Sequence, residues 1–349
     1  MLDAVSYAHY ILTDAQANCS LLSQSAGRMK IGIVTPAPPR SRYGNRVTAM
    51  RWAGFLKTLG HSVRVIQTYN DEAFDLLIAL HARRSHPSIA RFHREHPDLP
   101  IIVVLTGTDL YKDLGRIKST EEALDLATRI VVLQPKGLEQ LAFRLRPKTK
   151  VIHQSVVPSV STARAAGPRT TFDVCVVGHL RPVKDPFRTA MASRTLPESS
   201  RIRVVQIGGA MTNREKVRAK AEVRINARYQ WLGEQSPARV RKTLERCQLF
   251  VLSSKMEGGA NALGEAIVTG VPVLASRIPG SIGILGEDYP GYFETGNTRQ
   301  LARLMLKAET DPSFLSELNE RCEATRPLFS PAIERASLKS LVAELSKPA

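Results

Sequence analysis

Residues 249–276 have the sequence LFVLSSKMEGGANALGEAIVTGVPVLAS, which carries the pattern of a strand, a helix and a second strand. LFVLSS (249–254) and VPVLAS (271–276) are short, continuous apolar runs, typical of strands that are buried on both faces. NALGEAIVTG (261–270) has helical spacing, and Gly270 followed by Pro272 ends that helix. EGGANALGE (257–265) therefore lies at a strand-to-helix turn of a parallel sheet.

The same alternation runs through the rest of the chain. A first set of apolar runs alternates with helical patterns at 31–35, 63–67, 75–80, 101–106 and 129–134. A segment rich in Ser, Pro and Ala follows at 155–170, and a second set of runs occupies 172–180, 202–209 and 227–233 before the two strands above. Strands alternating with helices predict an α/β protein of two doubly wound, Rossmann-like domains that face each other across a cleft.

We place the first domain at residues 29–160 and the second at 161–330. A final helical pattern within 331–349 is expected to cross back to the first domain. Residues 1–28 lack a basic leading segment and a clear apolar stretch, so they do not have the pattern of a secretion signal. Because Met29 is followed directly by the first strand pattern, we expect 1–28 to be an extension outside the core.

Composition narrows the class of protein. A length of 349 residues suits two domains, and 43% hydrophobic residues is ordinary for a globular protein. No stretch approaches the ~20 apolar residues that a membrane-spanning helix requires. The four cysteines show no C-x-x-C spacing, which favours a reduced, cytoplasmic protein without a metal site.

The net charge of +17 is the unusual figure, and it favours anionic partners. Such partners are nucleic acid, an anionic membrane and phosphorylated small molecules. The alternative is a solvated basic surface that only aids solubility. Aromatic residues make up 6% of the chain and no stacking motif is present, so we do not expect a nucleic-acid partner. The densest basic run, 214–228, predicts a helix whose Val217, Ala221 and Ile225 pack on the core rather than on a membrane.

The turn at 257–265 predicts an anion site. Gly258 and Gly259 allow the backbone to approach a ligand, and the start of a helix offers unpaired N–H groups and a positive dipole end to a phosphate. Glu257 at the strand end is placed to reach a sugar hydroxyl, and Glu265, just over one turn into the helix, to accept from a ribose. The alternative is a helix cap with two surface acids. The N–H groups expected to face the cleft are those of Ala260, Asn261, Ala262 and Leu263.

SSKMEGGANALGEAIVTGVPVLAS resembles the donor-nucleotide motif of GT-B glycosyltransferases of the family-four type. It departs from that motif at Gly264, where the family usually has Leu, and at Ser253, where it often has Pro. VVGHLRPVKDP (176–186) resembles the family's diphosphate-binding segment. The resemblance implies a GT-B fold and a UDP-sugar co-substrate without cofactor or metal, with catalytic roles for Arg181, Lys184 and Glu257.

The resemblance extends to the first domain, which it makes the acceptor domain. TPAPPRSRYGNRVTAMRWA (35–53) occupies the place of the loop that touches the donor diphosphate in GT-B enzymes, and Gly44, Asn45 and Arg46 take its contact positions. Arg40, Arg42 and Arg46 would make the cleft strongly cationic. The alternative is that Asn45 and Thr48 cap a helix expected at about 47–59.

The acceptor side departs from ordinary members of the family. In TGTDLY (106–111), Thr106 replaces the usual His of a His-Gly-x-Asp pattern, whereas Asp109 matches it. His81 resembles a position that lines the acceptor side, and its alternative is a histidine satisfied at a strand terminus. The segments 34–49, 79–85 and 106–114 are similar to the selenosugar synthases of selenoneine biosynthesis.

That subgroup implies transfer of a sugar from a UDP-sugar, such as UDP-N-acetylglucosamine, to selenophosphate. A selenium nucleophile needs no dedicated general base, which is compatible with the loss of the histidine at position 106. Membrane association is then not required. The alternative function is glycosylation of a lipid or polysaccharide at an anionic membrane surface.

Overall fold

A computed structural model describes residues 27–158 and 170–346 of the chain, which form two α/β domains. The first domain has a six-stranded parallel sheet in the order β2-β1-β3-β4-β5-β6. Its strands are β1 (Lys30–Val34), β2 (Ser62–Ile66), β3 (Leu76–Leu80), β4 (Ile101–Val104), β5 (Arg129–Val132) and β6 (Thr149–Val151). Its helices are α1 (Gly44–Thr58), α2 (Ala82–Glu95), α3 (Lys118–Leu126) and α4 (Lys136–Glu139).

The second domain repeats this plan with a six-stranded sheet in the order β12-β11-β10-β7-β8-β9. Its strands are β7 (Phe172–Val177), β8 (Ile202–Ile207), β9 (Tyr229–Trp231), β10 (Leu249–Leu252), β11 (Val273–Ser276) and β12 (Tyr292–Phe293). Its helices are α5 (Arg188–Ser193), α6 (Asn213–Ile225), α7 (Pro237–Arg246), α8 (Asn261–Val268), α9 (Pro279–Leu285), α10 (Thr298–Thr310) and α11 (Pro312–Thr325). The predicted pair of doubly wound domains is confirmed.

Burial on both faces explains why the strands are continuously apolar. Every residue of β3 is buried. Leu76, Ile78 and Leu80 belong to the core cluster on one face of the sheet, whereas Leu77 and Ala79 belong to the cluster on the other. Because successive side chains of a strand point to opposite faces, a strand between two helical layers needs apolar residues at every position.

The last helix, α12 (Pro331–Leu345), returns to the first domain. Its Leu338 and Leu341 lie in the same core cluster as Trp52 of α1. Its buried Glu334 accepts a hydrogen bond from the Trp52 indole at 2.7 Å. Ser155 is also tied to Glu334 through its backbone N–H at 2.8 Å, so the first domain extends into the predicted linker. Residues 1–26 of the predicted extension, and 159–169 of the linker, lie outside the described residues.

Two local predictions are wrong. The helix expected from about residue 47 begins at Gly44, so residues 44–46 form its first turn. The prediction that the apolar positions of the basic run pack on the core also fails, since Val217 is 56% and Ile225 67% exposed in α6. That helix instead buries Ala219 and Glu222, because a small side chain and a paired carboxylate fit the space over the sheet.

Within the described ranges, no helix combines the length and the apolar character needed to cross a bilayer.

Candidate active site

Loops that follow the strands of both sheets meet between the two domains. The ring of Tyr43, after β1, packs edge-on against His179, after β7, with centroids 5.3 Å apart. The Arg42 guanidinium donates to the Gln235 carbonyl at 2.5 Å. Since β1 and β7 are parallel strands of their sheets, their carboxyl ends face one crevice, which is where doubly wound folds bind ligands.

The segment 176–186, which is expected to bind the diphosphate, contacts the predicted donor motif. Lys184, in the short helical turn 182–184 after β7, places its Nζ 2.5 Å from Oε1 of Glu257. The Ser253 hydroxyl donates to the Lys184 carbonyl at 3.2 Å, which ties the two loops together. A cation and a carboxylate that are distant in sequence thus lie side by side at the carboxyl ends of the strands, at the crevice.

Arg181 precedes Lys184 and is left available. Its side chain is exposed and forms no hydrogen bond or ion pair with any residue in the described ranges. Its carbonyl accepts from the Lys184 N–H at 2.9 Å, which fixes the spacing of the two cationic residues. A guanidinium that is not neutralised within the protein can bind an anionic ligand bidentately.

The two glycines of the motif serve the contact between domains. A Cβ on Gly258 would lie 2.5 Å from the carbonyl carbon of Thr106, and one on Gly259 would lie 2.6 Å from Cβ of Leu133. These glycines make room for the first domain, whose loop 106–107 packs backbone to backbone against the donor motif. The expectation that the backbone of Gly258 and Gly259 also approaches a ligand stays a prediction.

Helix α8 begins directly after this contact. Ala260 is its N-cap residue, and no side chain caps the helix. The N–H groups of Asn261 and Ala262 have no acceptor in the described part of the chain, whereas that of Leu263 donates to the Ala260 carbonyl at 3.0 Å. The side chain of Leu263 is fully buried in the core.

The start of α1 faces the start of α8 across the crevice. A Cβ on Gly44 would lie 3.8 Å from Nδ2 of Asn261. Tyr43 is the N-cap residue of α1 and provides no side-chain cap, so neither Asn45 nor Thr48 caps this helix. Two helix N-termini with open backbone donors therefore converge, and both favour a negative charge between them.

Glu265 lies one turn further along α8, and its carboxylate makes no hydrogen bond to another described residue. Burial raises its pKa, and the nearby guanidinium groups of Arg51 and Arg241 oppose that shift. A desolvated carboxylate without a partner is a strong acceptor for a ligand hydroxyl.

The three predicted arginines of the first loop differ in availability. Arg42 is engaged by the second domain, since besides Gln235 it lies 3.7 Å from Glu234, so it does not supply a free charge to the cleft. Arg40 is exposed with φ of 62°, and Arg46 is half-buried. Neither has a side-chain partner among the residues that the structure describes, so the cationic character of this loop rests on Arg40 and Arg46.

His81 and Asp109 hold the acceptor-side loop together. His81 is buried at the start of α2, where Nδ1 accepts from the Arg84 N–H and Nε2 lies 2.9 Å from the Thr108 hydroxyl. Burial lowers its pKa, and the nearby Asp109 carboxylate opposes that shift. Asp109 is fully buried and accepts from the backbone N–H groups of Ala82, Thr106 and Gly107. His81 and Asp109 thus have structural roles in this loop, and their expected substrate contacts stay predictions. Thr106 is partly exposed at the crevice.

A polar cluster beside the site was missed by the sequence analysis. Arg51 of α1 binds Glu334 at 2.9 Å and Asn261 at 3.4 Å, while Gln154 donates to Thr48 at 2.5 Å. Arg51 lies seven residues after Gly44, which places both on one face of the helix. That spacing was the available signal that Arg51 lies near the site. Gln154 and Glu334 carry no such signal in the sequence, because only the folding of the chain brings them to α1.

The described residues contain no group of three or more His, Cys, Asp or Glu side chains placed to hold a metal ion.

Comparison with known proteins agrees with this architecture. Residues 163–326 match the family model of the glycosyl transferases group 1. HepE of Anabaena, solved with UDP-glucose, is 14% identical, with a TM-score of 0.71 over 91% of this chain and 100% of that one. The sucrose-phosphate synthase of Thermosynechococcus elongatus is 16% identical, with a TM-score of 0.75 over 91% and 99%. These similarities show that the fold is GT-B.

A bacterial galactosyltransferase is among the curated proteins that are similar in sequence. It is the Escherichia coli UDP-Gal:α-D-GlcNAc-diphosphoundecaprenol α-1,3-galactosyltransferase, 27% identical over 158 residues. The match covers 44% of this chain and 40% of that protein, so this chain spans less than half of the relative's length.

Proposed function

We propose that this GT-B protein is a glycosyltransferase that moves a sugar from a UDP-sugar to a small anionic acceptor. The observation that carries the proposal is the convergence of the α1 and α8 N-termini beside the free guanidinium of Arg181 and the Lys184–Glu257 pair. Open amides, two cations and two acceptor carboxylates are the groups that a nucleotide diphosphate-sugar requires. The match to the group 1 family model supports the same reaction class.

Each part of the UDP-sugar has its own binding groups. The amides at the starts of α1 and α8 bind the diphosphate, and Glu265 accepts from the ribose hydroxyls. Glu257 accepts from a hydroxyl of the sugar, while Lys184 holds that carboxylate in place. UDP as the nucleotide is supported by HepE, whose structures contain UDP and UDP-glucose, and by the UDP-Gal of the curated relative.

Arg181 and Lys184 stabilise the UDP leaving group. The bond from the sugar C1 to the diphosphate oxygen breaks, and its electron pair stays on the departing UDP. Negative charge therefore grows on the diphosphate in the transition state, where two fixed cations lower its energy without a metal ion. The acceptor's lone pair forms the new bond to C1.

Selenophosphate is the acceptor that we propose first, with UDP-N-acetylglucosamine as donor. Its selenium attacks C1 and forms a carbon–selenium bond, and a nucleophile of this strength needs no general base. Thr106, at the position where related enzymes have His, supplies none. Arg40 and Arg46 provide unpaired positive charge for the phosphate group of such an acceptor.

A lipid-linked acceptor at an anionic membrane is the second candidate. The observation that favours it is the curated relative, whose acceptor is a diphosphoundecaprenol-linked sugar. A lipid diphosphate would use the same Arg40 and Arg46.

The test is incubation of the purified protein with several UDP-sugars and either selenophosphate or a short-chain prenyl diphosphate-linked sugar. Mass spectrometry then identifies the product, because selenium has a distinctive isotope pattern. A selenium-containing sugar that disappears in Arg181→Ala establishes the first candidate. A glycosylated lipid diphosphate establishes the second, and no release of UDP with any acceptor would refute the proposed function. Arg303→Ala, an exposed arginine of α10, is the matched control and is expected to keep activity.

A further inference from the structure

Helix α6 exposes a row of apolar side chains on the outside of the second domain. Val217, Ala221 and Ile225 are four residues apart, so they lie along one line of the helix surface. Val217 is 56% and Ile225 67% exposed, and only Ala221 is partly covered. The core beneath α6 is filled by Ala219, which packs with Leu180 and Phe187, so the apolar row has no role in that core.

Basic side chains lie along both sides of this row. Lys216, Lys220 and Arg224 form one parallel line, and Arg214 and Arg218 form the other; all of them are exposed. The Arg218 guanidinium stacks on the Phe187 ring at 4.3 Å. The other four have no partner in the part of the chain that the structure describes.

The two acids of α6 do not neutralise this surface. Glu215 is held by Thr212 in a capping arrangement at the helix start. Glu222 is buried and paired with Arg194. The exposed face therefore combines aliphatic side chains with a net positive charge, since five basic side chains stand against the carboxylate of Glu215. The cap stabilises the helix before any partner is bound.

We propose that this face of α6 docks on the surface of an anionic lipid bilayer. Val217 and Ile225 would enter the boundary between headgroups and acyl chains, while the flanking Lys and Arg pair with anionic headgroups. The proposal does not depend on glycosyl transfer, because the helix is distinct from the crevice residues.

Other occupants fit less well. A second copy packed about a two-fold axis would bring two sets of cationic rows together, which is unfavourable. A single-stranded nucleic acid would be recognised by stacking on aromatic side chains, and α6 contains none. Charge together with aliphatic side chains is the combination that a bilayer surface requires.

The experiment is flotation of the full chain with vesicles of phosphatidylcholine, or of phosphatidylcholine with about one third phosphatidylglycerol, at low and high salt. We expect binding to the anionic vesicles only, weakened by salt. Val217→Gln/Ile225→Gln keeps helix propensity and charge and should weaken binding at least tenfold. Phe143→Gln, which removes an apolar side chain that is 82% exposed on the first domain, should not.

The contribution of the basic side chains of α6 is tested with the same flotation assay. Lys216→Ala/Lys220→Ala should weaken binding about 25-fold, at roughly fivefold for each charge. The control Arg239→Ala/Lys242→Ala removes equal charge from exposed residues of α7 and should change binding less than threefold. Circular dichroism and the Tm verify that every variant is folded.

Absence of binding to anionic vesicles would overturn the proposal. So would equal losses in the two charge pairs, or an α6 apolar variant that binds like the wild type, since net charge alone would then explain the attraction. Salt-sensitive RNA binding, or a dimer that Val217→Gln/Ile225→Gln converts to monomer, without vesicle binding would assign the face to another partner.

Discussion

Gly258→Ala tests whether the donor motif works in backbone contact with the first domain. The added Cβ would lie 2.5 Å from the carbonyl carbon of Thr106 and 2.8 Å from the backbone nitrogen of Gly107. Ordinary contacts between heavy atoms are about 3.5–4.0 Å, and backbone atoms cannot rotate away, so the two segments must part by about 1 Å. Glu257, adjacent in sequence, would move with its Lys184 partner.

A displacement of about 1 Å in positioned catalytic groups lowers turnover by roughly 100-fold. We therefore expect kcat for UDP release to fall by about two orders of magnitude. The KM for the UDP-sugar should change less, since Glu265 and the start of α8 stay together in the second domain and only the amides of α1 shift relative to the diphosphate. Steady-state kinetics with the acceptor that supports UDP release is the assay, with circular dichroism to verify folding.

Gly54→Ala is the matched control. Gly54 is an exposed position inside α1, and a Cβ there meets no atom within 4 Å. The substitution should leave kcat unchanged and raise the free energy of unfolding by about 0.5–1 kcal/mol, because alanine favours the helix. Wild-type kcat in Gly258→Ala would refute the reasoning, since the contact with Thr106 would then have no part in catalysis.

Three other changes test separate parts of the account. Arg181→Ala and Lys184→Ala should each lower kcat by about 100-fold with a smaller rise in KM, as charge on the leaving diphosphate grows in the transition state; an effect on KM alone would contradict that role. Glu334→Ala should lower the free energy of unfolding by about 3–5 kcal/mol in urea denaturation, because it removes the charged partner of the largely buried Arg51 guanidinium and the acceptor of the buried Trp52 indole N–H, and Glu334→Gln should cost less. Burial lowers the pKa of His153 from 6.5 to about 4, so the unfolded chain binds more protons between those values. This group's contribution to stability is complete above pH 6.5 and falls by up to about 1.4 kcal/mol per pH unit toward pH 4, and His153→Asn should make the pH dependence of unfolding shallower.

The strands and the donor motif were predictable because their signals are local. Continuous apolar runs identify strands that are buried on both faces, and the spacing from Glu257 to Glu265 places both acids at one strand-to-helix turn. These features need only the order of elements along the chain. The contact between that turn and Lys184 was not predicted, because it depends on β7 and β10 being neighbours in the sheet.

Features that depend on packing between distant segments were not predictable. His81 caps α2 with φ of 72°, and nothing in its neighbours distinguishes that role from substrate binding. Glu334 reaches Arg51 only because the last helix returns to the first domain. The exposed row of α6 was assigned to the core because periodicity shows that a helix has an apolar stripe without showing which face the sheet covers.

The most direct test of the central claim is calorimetric titration of UDP into the wild-type protein and into Glu265→Ala. Removing a desolvated carboxylate that lacks a hydrogen-bond partner should not lower the Tm, so a loss of affinity reports on the ligand contact. The account predicts one UDP site per chain in the wild type and affinity weaker by about 10- to 100-fold in the variant, the value of a hydrogen bond to a charged group. No heat of UDP binding in the wild type, or equal affinity in both proteins, would contradict a nucleotide site between the two domains.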